Sequence, residues 1–362
     1  MAVNRRGLMR AAGAALAATV LLTGVACGSS GGGEASGGSE GGANTPGAPS
    51  IGVAEINLSL PFFVEMRDAS DKIAADYGVN VTWQSADGSL EKEISIVEDF
   101  IAQDKDVIMI DPLNAKALAP VVNKARKAGI EVITMGNKVE GEGNHNTLYP
   151  DHDNWVLNAR ILGTTLGGKG KVLLLIGSVG NYVSDTRQKA FEQTMKEEFP
   201  NIQVITQPTN FDSSTAANVT QTVLTNHPDL AGIASISDGL TLPALKVLQA
   251  RDKLGMPFVT NDGDPKVYPY LEKGQVLNDV LTGSHRVGAW NTAVGARLAK
   301  GSDFPTDLFM PTYVVASEQV SKRLSDAGLD VETVTPDRAR QLAQSYPSEF
   351  APSKPDKAMS VE

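Results

Sequence analysis

Asp106-Val107-Ile108-Met109-Ile110-Asp111-Pro112, followed by Ala128-Gly129-Ile130-Glu131-Val132-Ile133-Thr134, decides the fold of this chain. Val107–Ile110 is continuously apolar rather than alternating, as in a strand covered on both faces. Between the two stretches, Leu118, Val121, Val122 and Ala125 recur at three- and four-residue spacing, which predicts an amphipathic helix. Strand, helix and strand in that order make a βαβ unit, and βαβ units build a parallel sheet.

The same rhythm extends in both directions. Strands are predicted at Ile51–Ile56, Val79–Trp83, Val107–Ile110, Val132–Met135, Lys171–Ile176, Gln203–Thr206, Gly232–Ile236, Phe258–Thr260, Val276–Asp279 and Tyr313–Val315. Helical spacing recurs in Phe63, Met66, Ala69, Ile73 and Tyr77, and again in Ile94, Val97, Phe100 and Ile101. A second half repeats the pattern from Lys171. Asp151–Gly168 reads as the joint, with a helix beginning near Asp153-Asn154 and ending at Gly167-Gly168. The chain is expected to return to the first half after about Thr282. The fold class is therefore α/β, with two doubly wound parallel-sheet domains. Such sheets take ligands beyond the carboxyl ends of their strands.

Composition narrows the function. The chain has 362 residues, 41% hydrophobic and 20% charged, enough for two packed domains. A net charge of -10 with no basic cluster argues against nucleic acid as a partner. Cys27 is the single cysteine, so no disulfide can form within the chain. Arg5, Arg6 and Arg10 precede an apolar run from Leu16 through Ala26, which is the architecture of an export signal. Its apolar core is shorter than the roughly 20 residues of a spanning helix. We read residues 1–26 as a signal peptide cut before Cys27, although Gly24 stands where a bulky aliphatic is usual. Cys27 then carries a lipid, and residues 27–50, rich in Gly and Ser, form a flexible tether. The expected location is exported, lipid-anchored on the outer face of the cytoplasmic membrane or in the periplasm. Asn4-Arg5-Arg6-Gly7-Leu8-Met9-Arg10 also resembles a twin-arginine export signal.

Catalytic and cofactor motifs are not evident. Gly163-Thr164-Thr165-Leu166-Gly167-Gly168-Lys169-Gly170 falls short of a phosphate-binding loop, because Gly170 stands where Ser or Thr is required and a helix precedes it. No Gly-x-Gly-x-x-Gly follows the first strand, and no Gly-x-Ser-x-Gly lies between a predicted strand and helix, where an elbow would stand. His145, His152, His227 and His285 share no metal-ligand spacing. We expect no cofactor, no metal and no enzyme. The residues after the strands are instead polar or aromatic: Pro61-Phe62-Phe63, Asp111, Gly136-Asn137, Ser237-Asp238, Asn261-Asp262-Gly263 and Thr282 among them. Carboxylates accept from adjacent hydroxyls, amides give and accept, and rings cover C–H faces, which suits a polyhydroxylated ligand.

In their order, Pro61-Phe62-Phe63-Val64, the two opening stretches, Arg187 with Phe191, Gln207-Pro208 with Phe211-Asp212, Leu224 to Leu230, Ser237-Asp238 and Asn261-Asp262-Gly263 resemble the ribose-binding protein family. These are the type 1 periplasmic sugar-binding proteins of ABC transporters. The resemblance covers about Ser50 to Ser317. It implies two domains joined by three crossing segments that close on a sugar, with an ABC permease as partner and a monomeric receptor. The expected division is residues 51–153 plus about 283–312, then 154–282 plus about 313–350, then a tail, 351–362. The implied ligand-binding residues are Phe62, Phe63, Asn137, Asp185, Arg187, Phe211, Ser237, Asp238, Asp262 and Thr282. The family's Asp-Arg pair after the fourth strand is here Gly136-Asn137, and its polar residue before Pro-Phe-Phe is here Leu60. Loss of a bidentate arginine changes which hydroxyls can be read, so a polyol or a monosaccharide other than ribose fits as well.

Duller readings stand beside these. Phe62 and Phe63 can be core, Ser237 or Asp238 can cap a helix, and Asn261-Asp262-Gly263 is a common turn sequence. Asp264 before Pro265 has the arrangement of a helix cap, and Arg187 can serve as a surface ion-pair residue. A sensory receptor for a sugar or an autoinducer-2-like ligand would use the same cleft; a secreted hydrolase is the third reading.

Overall fold

The computed structural model describes residues 45–353. The first sheet contains β1 (Ser50–Glu55), β2 (Asn80–Ser85), β3 (Val107–Ile110), β4 (Glu131–Met135), β5 (His145–Leu148) and the late strand β11 (Asp307–Phe309), in the order β11-β5-β4-β3-β1-β2 and parallel throughout. The second contains β6 (Lys169–Ile176), β7 (Asn201–Pro208), β8 (Leu230–Ser235), β9 (Phe258–Asn261), β10 (Asn278–Leu281), β12 (Tyr313–Val315) and β13 (Thr333–Val334), in the order β13-β12-β10-β9-β8-β6-β7. The two orders are the same topology used twice. The exception is β12, which runs antiparallel to β10 at the sheet's far side.

The helices are α1 (Pro61–Tyr77), α2 (Leu90–Ala102), α3 (Ala115–Lys127), α4 (Asp151–Thr165), α5 (Tyr182–Glu198), α6 (Ser213–Asn226), α7 (Asp238–Ala250), α8 (Tyr268–Glu272), α9 (Ser284–Ala299), α10 (Glu318–Asp326) and α11 (Pro336–Glu349). They cover both faces of the sheets, which is why the strands are apolar on both sides. Ile51, Val53, Met109 and Ile133 face α1 and α9, whereas Ala54, Ile108 and Ile110 face α2 and α3. Helices α1 and α9 touch backbone to side: a Cβ at Gly288 would overlap the Met66 carbonyl oxygen.

The chain passes between the sheets three times. After β5 it enters α4, whose Trp155, Ala159 and Leu162 lie in the second core. After β10 it enters α9, whose Val287, Trp290 and Val294 lie in the first. From β11 it goes directly to β12. Arg286, fully buried, joins the second and third passages: its guanidinium donates to the Thr282 and Pro311 carbonyls and pairs with Glu349 of α11 at 3.3 Å.

Several expectations need correction. Strands β5, β11 and β13 are not among those expected, β5 because His145-Asn146-Thr147-Leu148 is polar. Its polar groups are buried but bonded: His145 Nδ1 to the Pro305 carbonyl, Asn146 to Asp307, Thr147 to Asn291. The tether does not run free to Ser50, since Asn80 holds Thr45 by two hydrogen bonds and Ser50 opens β1. Residues 313–350 do not all go with the second sheet: α11 sends Ala339 into the second core but Tyr346, with Phe350 just beyond, into the first. The joint helix starts at Asp151, two residues early, and ends before Gly167 and Gly168, both at positive φ. The signal peptide and Cys27 lie outside the described residues. Among the described residues no helix is long and apolar enough to cross a membrane.

Candidate functional site

The carboxyl ends of both sheets carry buried carboxylates, because each strand delivers one polar residue as it leaves its apolar core. In the first domain Glu55 ends β1, Asp111 follows β3, and Glu93 comes from α2. Glu93 accepts from the Leu113 N–H, and Asp111 accepts from Asn137 Nδ2 at 2.7 Å. Burial raises the Glu55 carboxyl well above its ordinary value, and the neighbouring Asp111 charge adds to this. Burial likewise pushes Glu93 up to about 8 and Asp111 up to about 6.

In the second domain Asp238 opens α7, Asp262 follows β9 and Asp279 lies in β10. Asp238 accepts from Thr260 Oγ1 and from the Asp264 N–H. Burial raises it well above the usual range, and the Asp279 and Asp262 charges follow. Asp262 has φ 124°, a region that side chains rarely adopt. Strain of that kind persists only where surrounding bonds hold it. Here the Asp262 N–H donates to the Val280 carbonyl, and its own carbonyl accepts from Gly283 on the second crossing.

Arg187, on α5, joins these parts. It is 3% exposed, donates from Nε to Asp151 at 2.7 Å and from Nη1 to Asp262 at 3.2 Å, and also to the Ile236 carbonyl. Burial disfavours its charge but the two carboxylates outweigh that, leaving its pKa raised. Asp151 sits on the first crossing and Asp262 just after β9, so one guanidinium ties the crossing to the carboxyl end of the second sheet. The surface ion-pair reading of Arg187 is thereby overturned.

The other expected residues fall as follows. Phe62 and Phe63 are half-buried and meet edge to face, ring centroids 5.4 Å apart at 83°. They open α1, whose preceding residue Leu60 offers no side-chain cap. Asn137 bridges the domains: beside its bond to Asp111, its Oδ1 accepts from the Val183 N–H of α5 at 3.0 Å. Asn181 Nδ2 reaches the Pro112 carbonyl at 3.4 Å, so the domains touch across the strand ends. Asp185 folds back on the Gly180 N–H. Phe211, at φ 58°, lays its ring where a Cβ of Gly177 would be. Ser237, not Asp238, is the α7 cap, and it accepts from Gly239. Thr282 accepts from Asn261. Asp264 accepts from Lys266 in a turn, and α8 begins only at Tyr268.

Sequence reasoning missed Asp151, Asp279, Glu55 and Glu93. Asp151 follows β5 closely, so the after-strand rule finds it once that polar strand is recognised. Glu55 and Asp279 lay inside predicted strands and were read as strand, not site. Among the described residues no group of His, Cys, Asp or Glu is arranged to hold a metal ion.

Both domains thus gather carboxylates, amides and aromatic rings at the carboxyl ends of their sheets. Known proteins resemble this chain over most of its length. Residues 51–303 match the family described as periplasmic binding protein domain. The chain is 27% identical over 273 residues to the ribose import binding protein RbsB of Salmonella typhimurium, covering 73% of this chain and 91% of that one. It is 26% identical over 268 residues to the xylitol-binding protein of Mycolicibacterium smegmatis, covering 73% and 75%. The solved structure of an ABC transporter solute-binding protein from Mycobacterium smegmatis with bound glycerol superposes with a TM-score of 0.71 at 26% identity, over 76% of this chain and 96% of that one. A myo-inositol-bound solute-binding protein from Bacillus halodurans shares the fold, TM-score 0.71 at 21% identity, over 84% and 100%. The chain belongs to the periplasmic binding protein family, among the ribose-binding-like type 1 solute-binding proteins of ABC transporters.

Proposed function

We propose that this protein is the extracytoplasmic solute-binding lipoprotein of an ABC importer and captures a neutral sugar or polyol between its two domains. The observation that carries the reading is the Asp151–Arg187–Asp262 network. It links the crossing segment to the cleft edge, so a ligand hydroxyl bonded to Asp262 acts on the same group that holds the hinge. Phe62 and Phe63 from the first domain and Phe211 from the second cover the ligand's C–H faces, while Asn137 and Asp238 take hydroxyls. Contacts from both domains favour the closed form, which the permease then recognises. The protein has no catalytic role in this reading. A lipid on Cys27 keeps it beside the permease.

Isothermal titration against monosaccharides and polyols tests the ligand class. A micromolar or tighter ligand is expected, and Asp262→Ala abolishes its binding; flat traces across the panel refute the reading. Labelling with a radioactive fatty acid, lost in Cys27→Ser, tests the anchor separately.

A further inference from the structure

Tyr149 stands between β5 and α4 at the first crossing and packs partly buried against the first core. Its ring lies in the space that residue 136 leaves empty. A Cβ at Gly136 would stand 3.1 Å from Tyr149 Cε2 and 3.5 Å from its hydroxyl oxygen. Gly136 also has φ 66°, so any other residue there is disfavoured twice, by the backbone and by the ring. Glycine and tyrosine are therefore a matched pair.

One side of the ring packs on the first core, and the residue itself lies at the carboxyl end of the first sheet, beside the segment that reaches the second domain. Gly136, which the ring covers, precedes Asn137, and Asn137 bonds both Asp111 of the first domain and the Val183 N–H of the second; Asp151, two residues beyond Tyr149, pairs with Arg187. Burial and then the carboxylates hold the phenol well above its ordinary pKa, so its O–H remains a neutral donor. Among the described residues no hydrogen bond holds that hydroxyl. An amphipathic ring whose polar tip has no bond within the protein is open to a partner from a ligand.

We propose that Tyr149 is a specificity-determining ligand contact, its hydroxyl bonding a ligand hydroxyl and its ring shortening the cleft beside Gly136. The pocket then prefers a compact neutral polyol or pentose over a hexopyranose. This inference rests on the sugar or polyol reading above. The ring takes space on one side, and its hydroxyl replaces a charged reader with a neutral donor and acceptor. A phenol discriminates by its hydrogen bond rather than by charge, so a ligand that leaves it unmet is rejected.

The test uses the mature chain with glycerol, xylitol, D-ribose and D-glucose as probes. Wild type is expected to bind at least one of the first three more tightly than glucose. Tyr149→Phe removes only the hydroxyl; it should weaken that ligand roughly ten-fold while leaving the ligand-free melting temperature unchanged. Tyr149→Ala should narrow or reverse the preference over glucose. Unchanged affinity in Tyr149→Phe, or an unchanged preference in Tyr149→Ala, overturns the proposal while the sugar reading stands. Wild type binding none of the probes overturns the sugar reading and this inference with it. A fall in ligand-free stability equal to the fall in binding would assign Tyr149 to packing and also overturn the proposal.

Discussion

Replacing Asp279 by Asn should make the protein more resistant to alkaline pH. Asp238 and Asp279 are both buried, at 2% and 0% exposure. Asp279 Oδ1 accepts from the Gly263 N–H at 3.2 Å, but its Oδ2 has no donor. Two carboxylates in such a place cannot both ionise, so the pair keeps a proton. Burial first, then the charge of Asp262, pushes Asp279 up to about 8. An unfolded aspartate titrates near 4. Between those values the folded state holds a proton that the unfolded chain has released. Stabilisation from this proton is therefore complete below about pH 4 and is lost as pH rises through about 8. The loss is about 1.4 kcal/mol per pH unit for each proton retained. From pH 5.5 to 7.5 that is about 3 kcal/mol, or about 6–12 °C in the melting temperature of a domain of this size. In Asp279→Asn the amide oxygen still accepts from Gly263, and its N–H₂ replaces the shared proton towards Asp238. Thermal unfolding followed by circular dichroism at half-unit pH steps measures the effect. The variant should lag or equal wild type at pH 5.5 and exceed it by pH 8.5. Parallel curves for the two proteins would refute the shared-proton argument, because nothing else in the substitution depends on pH.

Glu93→Gln should act in the same direction in the first domain, since Glu93 is pushed up to about 8 while its acceptor role towards Leu113 survives in the amide; the gain is read from urea midpoints at pH 9 against pH 6. Gly288→Ala forces α1 and α9 apart at Met66 and should cost about 1–3 kcal/mol by chemical denaturation, as overpacking does. Arg286→Met leaves the Thr282 and Pro311 carbonyls and Glu349 without their donor, and should lower stability by about 2–4 kcal/mol in the same assay. Ending the chain after Val334 removes Tyr346 and Phe350 from the first core and Ala339 from the second; limited proteolysis should then cut both domains sooner, and unchanged digestion would show that α11 is not a strap.

Reading the sequence alone recovers most strands because their signal is local. Val107–Ile110 or Leu173–Ile176 can satisfy its side chains only inside a covered sheet, and the sequence says so without help. The doubly wound class, the returning chain and the after-strand placement of Phe62, Asn137, Asp238 and Asp262 follow from that rhythm. The tertiary structure decided everything that depends on a distant partner. β5 is a strand because Pro305, Asp307 and Asn291 satisfy its polar side chains, more than 140 residues away. Arg187 is buried because Asp151 and Asp262 meet it there; no window of sequence contains all three. Whether Asp279 carries a proton, and whether Tyr149 faces a glycine or a carboxylate, are likewise set by neighbours that only folding supplies. Apolar periodicity is a property of a segment, but the cost of burying a polar or charged group is a property of the place where it is buried.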